Sequence, residues 1–288
     1  MVIELAAIPD VQSLPDTRNL SIDRVGIRDI RQPVRILDRA GREQPTTASF
    51  GMFVQLSPAV KGTHMSRFVE ILEEHPGDYS VATFADLAHE VAARLDSDRC
   101  EVEMAFPYFM RKAAPVTGTT STLDFEVAMI AILEAGAVSQ RLRVQVPVTS
   151  LCPCSKTISD YGAHNQRTHV TATIEIEDPI WIEDLIELLE DQGSCQLYPI
   201  LKRADEKHVT EQAYNNPKFV EDIARDVALA FNADPRIGRF HVTVENFESI
   251  HNHSAFAEIT GGVATIEVDP RLNGNGNGNG NGHSNGAH

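Results

Sequence analysis

The segment Pro147 to Val170, PVTSLCPCSKTISDYGAHNQRTHV, is dense in side chains that do chemistry: Cys152, Cys154, Lys156, His164, Arg167 and His169. It begins where an alternating apolar run (Leu142, Val144, Val146, Val148) ends. Strand ends and the loops after them are where a rigid scaffold presents side chains to a ligand. Cys152 and Cys154 are two apart, and in extended backbone they project to the same side. His164 lies far enough beyond Cys154 for the chain to loop back. Thiolate and imidazole together favour zinc or a similar first-row metal. No second CxxC or HxxxH pair exists to complete four strong ligands, so a metal here takes the open, three-ligand arrangement of a catalytic centre. Cysteines of this kind also serve as buried packing residues, and spacing alone leaves both readings open.

Three further clusters carry candidate groups. KRADEKHVTE, Lys202 to Glu211, is a polar run with carboxylates and a histidine. ENFESIHNHSAF, Glu245 to Phe256, follows an apolar strand and offers Glu248, His251 and His253. A carboxylate beside histidines at a strand end suits acid–base work at neutral pH; a solvated turn is the alternative. VKGTHMSRF places Lys61, His64 and Arg67 around a helix start that Ser66 is expected to cap. Free N–H groups at a helix start with cationic side chains make a triphosphate seat, and a plain cap with surface charges is the other reading. Cys100 and Cys195 have no partner pattern and read as packing residues.

The elements that must hold these groups follow an order that occurs twice. Val25 to Ile36 and Ser49 to Leu56 read as a strand pair joined by Asp38-Arg39-Ala40-Gly41. Helical spacing follows in Phe68, Val69, Ile71 and Leu72, and again in Phe84, Leu87, Val91 and Leu95. Strands come next around Glu101 to Phe109 and Leu123 to Met129. The order restarts with alternation through Leu142–Val148 and Val170–Ile176. A helix carrying Ile182, Leu185, Ile186 and Leu189 follows, and then a helix expected to start at Asn216-Pro217. Phe240 to Val244 and Ala255 to Ile259 close the series. This is ββααββ repeated, an α+β fold with helices on one face of antiparallel sheet. It divides as residues 20–137 and 138–265. Residues 1–19 are expected to form a flexible tail, and the Asn/Gly-rich 266–288 a disordered one.

The 288 residues suffice for a sizeable core, and 42% hydrophobic with 23% charged is ordinary for a globular chain. A formal charge of −16 argues against a nonspecific nucleic-acid binder, though a local basic cleft still admits a small anion. No apolar run reaches the roughly 20 residues of a membrane helix. The N-terminus lacks the basic n-region of a secretory signal. Four cysteines, two of them separated by a single residue, do not look like a disulfide framework. The expectation is a reduced, cytoplasmic protein with no membrane or nucleic-acid partner.

Taken together, SLCPCSKTISDYGAHNQR, KGTHMSRF, LKRADEKHVTE and ENFESIHNHSAF resemble the type IB GTP cyclohydrolases, in the family's order and over roughly Pro9 to Gly262. The resemblance implies two tunnelling-fold modules in tandem, each ββααββ, and a homotetramer with active sites near subunit interfaces. The implied reaction is GTP plus water to 7,8-dihydroneopterin triphosphate and formate, the first step of folate biosynthesis. It also implies metal ligands at Cys152, His164 and Glu206, with zinc, manganese or iron all admissible. Cys154 then falls close to the reacting carbon, Glu248, His251 and His253 near the metal, and Glu221 on the guanine edge. Two rival classes stand beside this reading. One is a nitrile reductase of 7-deazaguanine, in which a thiol attacks the substrate. The other is a metal-storage or redox module built on the CPC pair, which needs neither an anion seat nor an anchoring acid.

Overall fold

The computed structural model describes residues 10, 12, 14–75 and 77–262; the segment from 263 onward, including the whole Asn/Gly-rich tail expected to be disordered, lies outside them. Sixteen elements follow one another: β1 (Ile22–Leu37), β2 (Glu43–Leu56), α1 (Met65–Glu74), β3 (Asp78–Tyr79), α2 (Phe84–Arg94), β4 (Arg99–Ala113), β5 (Thr120–Glu134), β6 (Ala137–Leu151), α3 (Pro153–Ile158), β7 (Asn165–Ile176), α4 (Ile182–Glu190), β8 (Cys195–Gln196), α5 (Arg203–Asn215), α6 (Val220–Ala233), β9 (Ile237–Phe247) and β10 (Ser254–Gly261).

The strands form one sheet in the order β10-β9-β7-β6-β5-β4-β2-β1-β3, with β8 added alongside β6. All the long strands pair antiparallel, and only the two-residue β3 runs parallel to β1. Period-2 alternation explains why the helices gather on one face. In β4, Cys100, Val102, Met104, Phe106 and Tyr108 are buried, and in β6 so are Leu142, Val144, Val146 and Val148. On that face lie α2, α4 and α6, with Leu87, Val91, Leu185, Leu189, Val227 and Phe231 turned inward. Phe231 of α6 meets Phe240 of β9 edge to face, with ring centroids 5.3 Å apart. The other face carries the intervening residues and is crossed by ion pairs such as Arg24–Glu101 and Arg143–Glu103, at 2.6 and 2.8 Å.

The expected strands and the apolar helices are all present, most of them longer than their apolar stretch. The two halves of the element order meet at the β5–β6 hairpin, so that the sheet runs on without a break. Side chains bind the halves as well. Arg39, in the β1–β2 turn, reaches Asp184 and Glu187 of α4 at 2.7 Å each. Lys112 at the end of β4 forms a buried ion pair with Glu190, whose carboxyl burial pushes up and Lys112 pulls back. Within the segment expected to be an N-terminal tail, Gln12 and Leu14 accept backbone hydrogen bonds from Gly62 and Lys61, so its described part lies along the approach to α1.

Two helix starts differ from expectation. Helix α1 begins at Met65 with His64 at the N-cap position, so Ser66 sits in the first turn and caps nothing. Asn216-Pro217 does not open α6; Asn216 closes α5, its amide donating to the carbonyls of Gly193 and Ser194. Helix α6 starts three residues later, where the Asp222 carboxylate accepts from Phe219 N–H at 2.9 Å. A carboxylate at N3 satisfies a free N–H as well as a side chain at the cap itself, so the Asn-Pro signal was outcompeted.

The β5–β6 hairpin turns on Ala135 and Gly136, with φ of 50° and 82°. Both central residues of such a turn need positive φ, which suits glycine and asparagine and strains alanine. Ala135→Asn should therefore raise stability in urea unfolding by about 1 kcal/mol; an unchanged or lower midpoint would mean that the turn is not strained at Ala135.

Candidate functional site

Strands β6, β7 and β9 end together, and their core-facing residues form successive rows. Val146, Val170 and Val244 pair across the three strands and are fully buried. The next row is Val148, Thr168 and Asn246. Beyond it Ser150 pairs with Gln166, and Glu248 lies just past the end of β9. In the same phase, Cys152 follows Ser150 and His164 precedes Gln166, and Cys152 N–H donates to the carbonyl of His164 at 3.1 Å. The core face thus passes from dry to polar in register and ends on a thiol and an imidazole.

Hydrogen bonds fix this end. His164 Nδ1 lies 3.0 Å from Gln166 Oε1, 3.9 Å from Glu248 Oε2 and 3.5 Å from Ser249 Oγ. The side chains of His164 and Glu248 are only 15% and 13% exposed, so their contacts are partly shielded from solvent. The extended backbone expected through Cys152 and Cys154 is not what forms. Pro153 at the first helical position starts α3, Cys152 becomes its N-cap, and the thiol accepts from Ser155 N–H at 3.4 Å. Cys154 lies inside the helix and is exposed, so the two thiols are no longer related by strand alternation. Proline's fixed φ suits that position, and this overrides the extended reading.

The run Lys202 to Glu211 is helical, as α5. It shows no apolar stripe, and Asp205 and Ala213 are its buried residues. Hydrogen bonds hold it in place. Asp205 accepts from Val116 N–H, Thr117 N–H and Lys202 N–H at 2.8, 2.8 and 2.9 Å, and from the Thr117 hydroxyl at 2.7 Å. Desolvation alone would raise its pKa, but these donors outweigh it and hold the carboxyl well below the usual range. At the other end Lys156 of α3 donates to the Tyr214 carbonyl and lies over the Tyr214 ring.

Glu206 sits in the first turn of α5, and from Tyr214 back to Glu206 the helix rises roughly 12 Å. The chain brings Cys152, His164 and Glu248 to one place, and Glu206 does not complete a ligand set there. Among the described residues no group of three or more His, Cys, Asp or Glu side chains is arranged to hold a metal ion. His251 and His253 stack at 5.0 Å between ring centroids in the exposed β9–β10 loop. Glu221 is exposed in the first turn of α6; that helix start is brought to the site by Lys218 N–H donating to the Leu151 carbonyl at 3.0 Å.

Lys61, Ser66 and Arg67 are exposed at the start of α1, and His64 lies 3.3 Å from the Asp10 carboxylate. A cavity of about 790 Å³ opens on the helix-free face, lined by Arg24, Glu103, Arg143, His169 and Glu245 among others. None of the candidate ligands lines it. His169, half-buried there, has its pKa lowered by burial and by Arg167, with Glu245 opposing. Ser150, Gln166, Thr168 and Asn246 were not singled out in the sequence. Their signal is polar residues in the inward phase of apolar strands.

A continuous antiparallel sheet with its helices on one face defines an α+β protein of the tunnelling-fold class. The uricase from Bacillus fastidious shares this architecture at a TM-score of 0.52 and 10% identity, over 83% of this chain and 93% of that one. Residues 8–257 match the family described as type I GTP cyclohydrolase folE2. GTP cyclohydrolase FolE2 of Methylobacillus flagellatus is 56% identical over 88% of this chain and 95% of its own length. That of Thiobacillus denitrificans is 55% identical over 88% and 94%. The chain belongs to the type I GTP cyclohydrolase folE2 family.

Cys152→Ala and His164→Ala should each leave a folded chain with bound divalent metal reduced at least tenfold in elemental analysis. Full occupancy in either variant would remove that residue from the ligand set.

Proposed function

We propose that this chain hydrolyses GTP at C8 of the guanine, releasing formate and forming 7,8-dihydroneopterin triphosphate, the first step of folate biosynthesis, as the type IB motifs imply. The observation that carries the reading is the Cys152–His164 pair beside Glu248 at one sheet end, in a chain of the folE2 family. A family of this activity implies a divalent metal. The donor chemistry fits one: a thiol, and an imidazole whose polar contacts among the described residues fall on Nδ1. Glu206 is the proposed third ligand, and zinc, manganese and iron all suit the mixed S, N and O set. When bound, the ion supplies Lewis acidity, which makes water nucleophilic near neutral pH.

The chain's own groups do the rest. Glu248, His251, His253 and Cys154 stand at the same end, and in this reading they move protons at N7 and N9 as the ring opens. Glu221 accepts from the 2-amino edge of guanine, a contact adenine cannot offer. Lys61, His64, Ser66 and Arg67 receive the triphosphate at the start of α1. The resemblance of the motifs to the type IB enzymes supports a homotetramer with active sites near subunit interfaces, each copy carrying modules 20–137 and 138–265. A reducing, cytoplasmic setting is supported by four cysteines that are all unpaired.

The test strips the protein with chelator, restores Zn²⁺, Mn²⁺ or Fe²⁺ separately, and adds GTP. After oxidation and phosphatase treatment a fluorescent pterin should appear with an equal amount of formate. The chelated protein and the ATP control should give neither. Glu221→Ala should lower kcat/KM roughly 10- to 100-fold, as loss of a hydrogen bond to a charged group does. Absence of pterin and formate with every metal overturns the reading, and NADPH-dependent reduction of a deazaguanine nitrile would put the thiol-attack chemistry in its place.

A further inference from the structure

Gln166 is 8% exposed and takes part in a buried polar relay that the reaction scheme leaves unused. Its Nε2 donates to Ser150 Oγ at 2.9 Å and lies 3.4 Å from Glu248 Oε1. Its Oε1 faces His164 Nδ1 at 3.0 Å. Ser150 is fixed in turn by the Thr168 hydroxyl at 2.9 Å, and Thr168 by Asn246 Oδ1 at 2.6 Å; all three are at most 2% exposed. These are neighbouring rows of one sheet, so the relay is as rigid as the strands that carry it.

The direction of this relay follows from donor and acceptor chemistry. An ionised carboxylate only accepts, so the side of the Gln166 amide that faces Glu248 must be its NH₂. That turns Oε1 toward His164, and an amide oxygen also only accepts. The proton of the neutral imidazole must then sit on Nδ1. Glu248 Oε2, at 3.9 Å, favours the same position. The ring's other nitrogen is left with a bare lone pair. We infer that Gln166 is a positioning residue that holds His164 as the Nδ1–H tautomer and so presents Nε2 to the metal. The tautomer rests on geometry alone; its use rests on the metal-dependent function proposed above.

Two readouts on the full chain test this. In the metal-free ¹⁵N-labelled protein with the ring neutral, long-range ¹H–¹⁵N correlation should find the His164 proton on Nδ1. In titrations with Co²⁺ followed by thiolate charge-transfer absorption, Gln166→Leu should weaken binding roughly 10- to 100-fold, the usual effect of removing a partner that orients a ligand. The exchange variant Gln166→Glu with Glu248→Gln restores an acceptor for Nδ1–H and a donor to hold it, and should recover most of the affinity. A parent spectrum with the proton on Nε2, or a Gln166→Leu variant that binds Co²⁺ as tightly as the parent, overturns the inference. Should Gln166→Leu fail to fold, the parent's tautomer and the exchange variant's affinity decide. A parent that binds no Co²⁺ overturns the metal reading instead, and the spectrum still decides the tautomer.

Discussion

The register of β6 against β7, and of β7 against β9, is the constraint on which the rest depends. Side chains alternate with period two, so pairing Val146 with Val170 and Val170 with Val244 also pairs Ser150 with Gln166 and sets Cys152 beside His164. A slip of one residue would carry Val170, Ala172 and Ile174 out of the core and turn Gln166 and Thr168 to the other face. The buried valines therefore do more than fill the interior. Their burial makes every odd-numbered slip costly, at roughly 1.5–3 kcal/mol for each large apolar side chain exposed.

A second kind of order holds the polar helix α5. With Asp205 and Ala213 as its buried residues, hydrophobic burial contributes little to its position. It is pinned at its N-terminal end by the four donors to Asp205, which include the β4–β5 loop of the other half, and at its C-terminal end by Lys156. The metal site of the proposed reaction thus draws on two sources of rigidity. Cys152 and His164 stand on a paired sheet, whereas Glu206 stands on a helix fixed by its ends.

Much of this was legible in the sequence for a definite reason. Long strands such as β4 and β6, and the helices α1, α2, α4 and α6, carry uninterrupted apolar alternation or helical spacing because one side of each is dry. Helix α5 was not legible, since a helix without an apolar stripe leaves no periodic trace. Helix α3 was missed because Cys152 and Cys154 invited an extended reading, while Pro153 between them favoured a helix start. Of the candidate site, Cys152 and His164 stood out by residue type. Gln166, Ser150, Thr168 and Asn246 did not, because their meaning lies in strand phase and cross-strand pairing. The grouping of His164 with Glu248 likewise follows from topology, β9 lying beside β7, which spacing along the chain does not reveal.

The central claim is that Cys152 and His164 together, without Cys154, hold a catalytic metal at the end of this sheet. X-ray absorption at the zinc edge of the zinc-loaded full chain tests it most directly. The account predicts one sulfur at about 2.3 Å, one imidazole nitrogen and lighter oxygen or nitrogen donors for the remainder. Two sulfurs would make the CPC pair a joint ligand, and no sulfur would place the metal elsewhere. Either result would contradict the account.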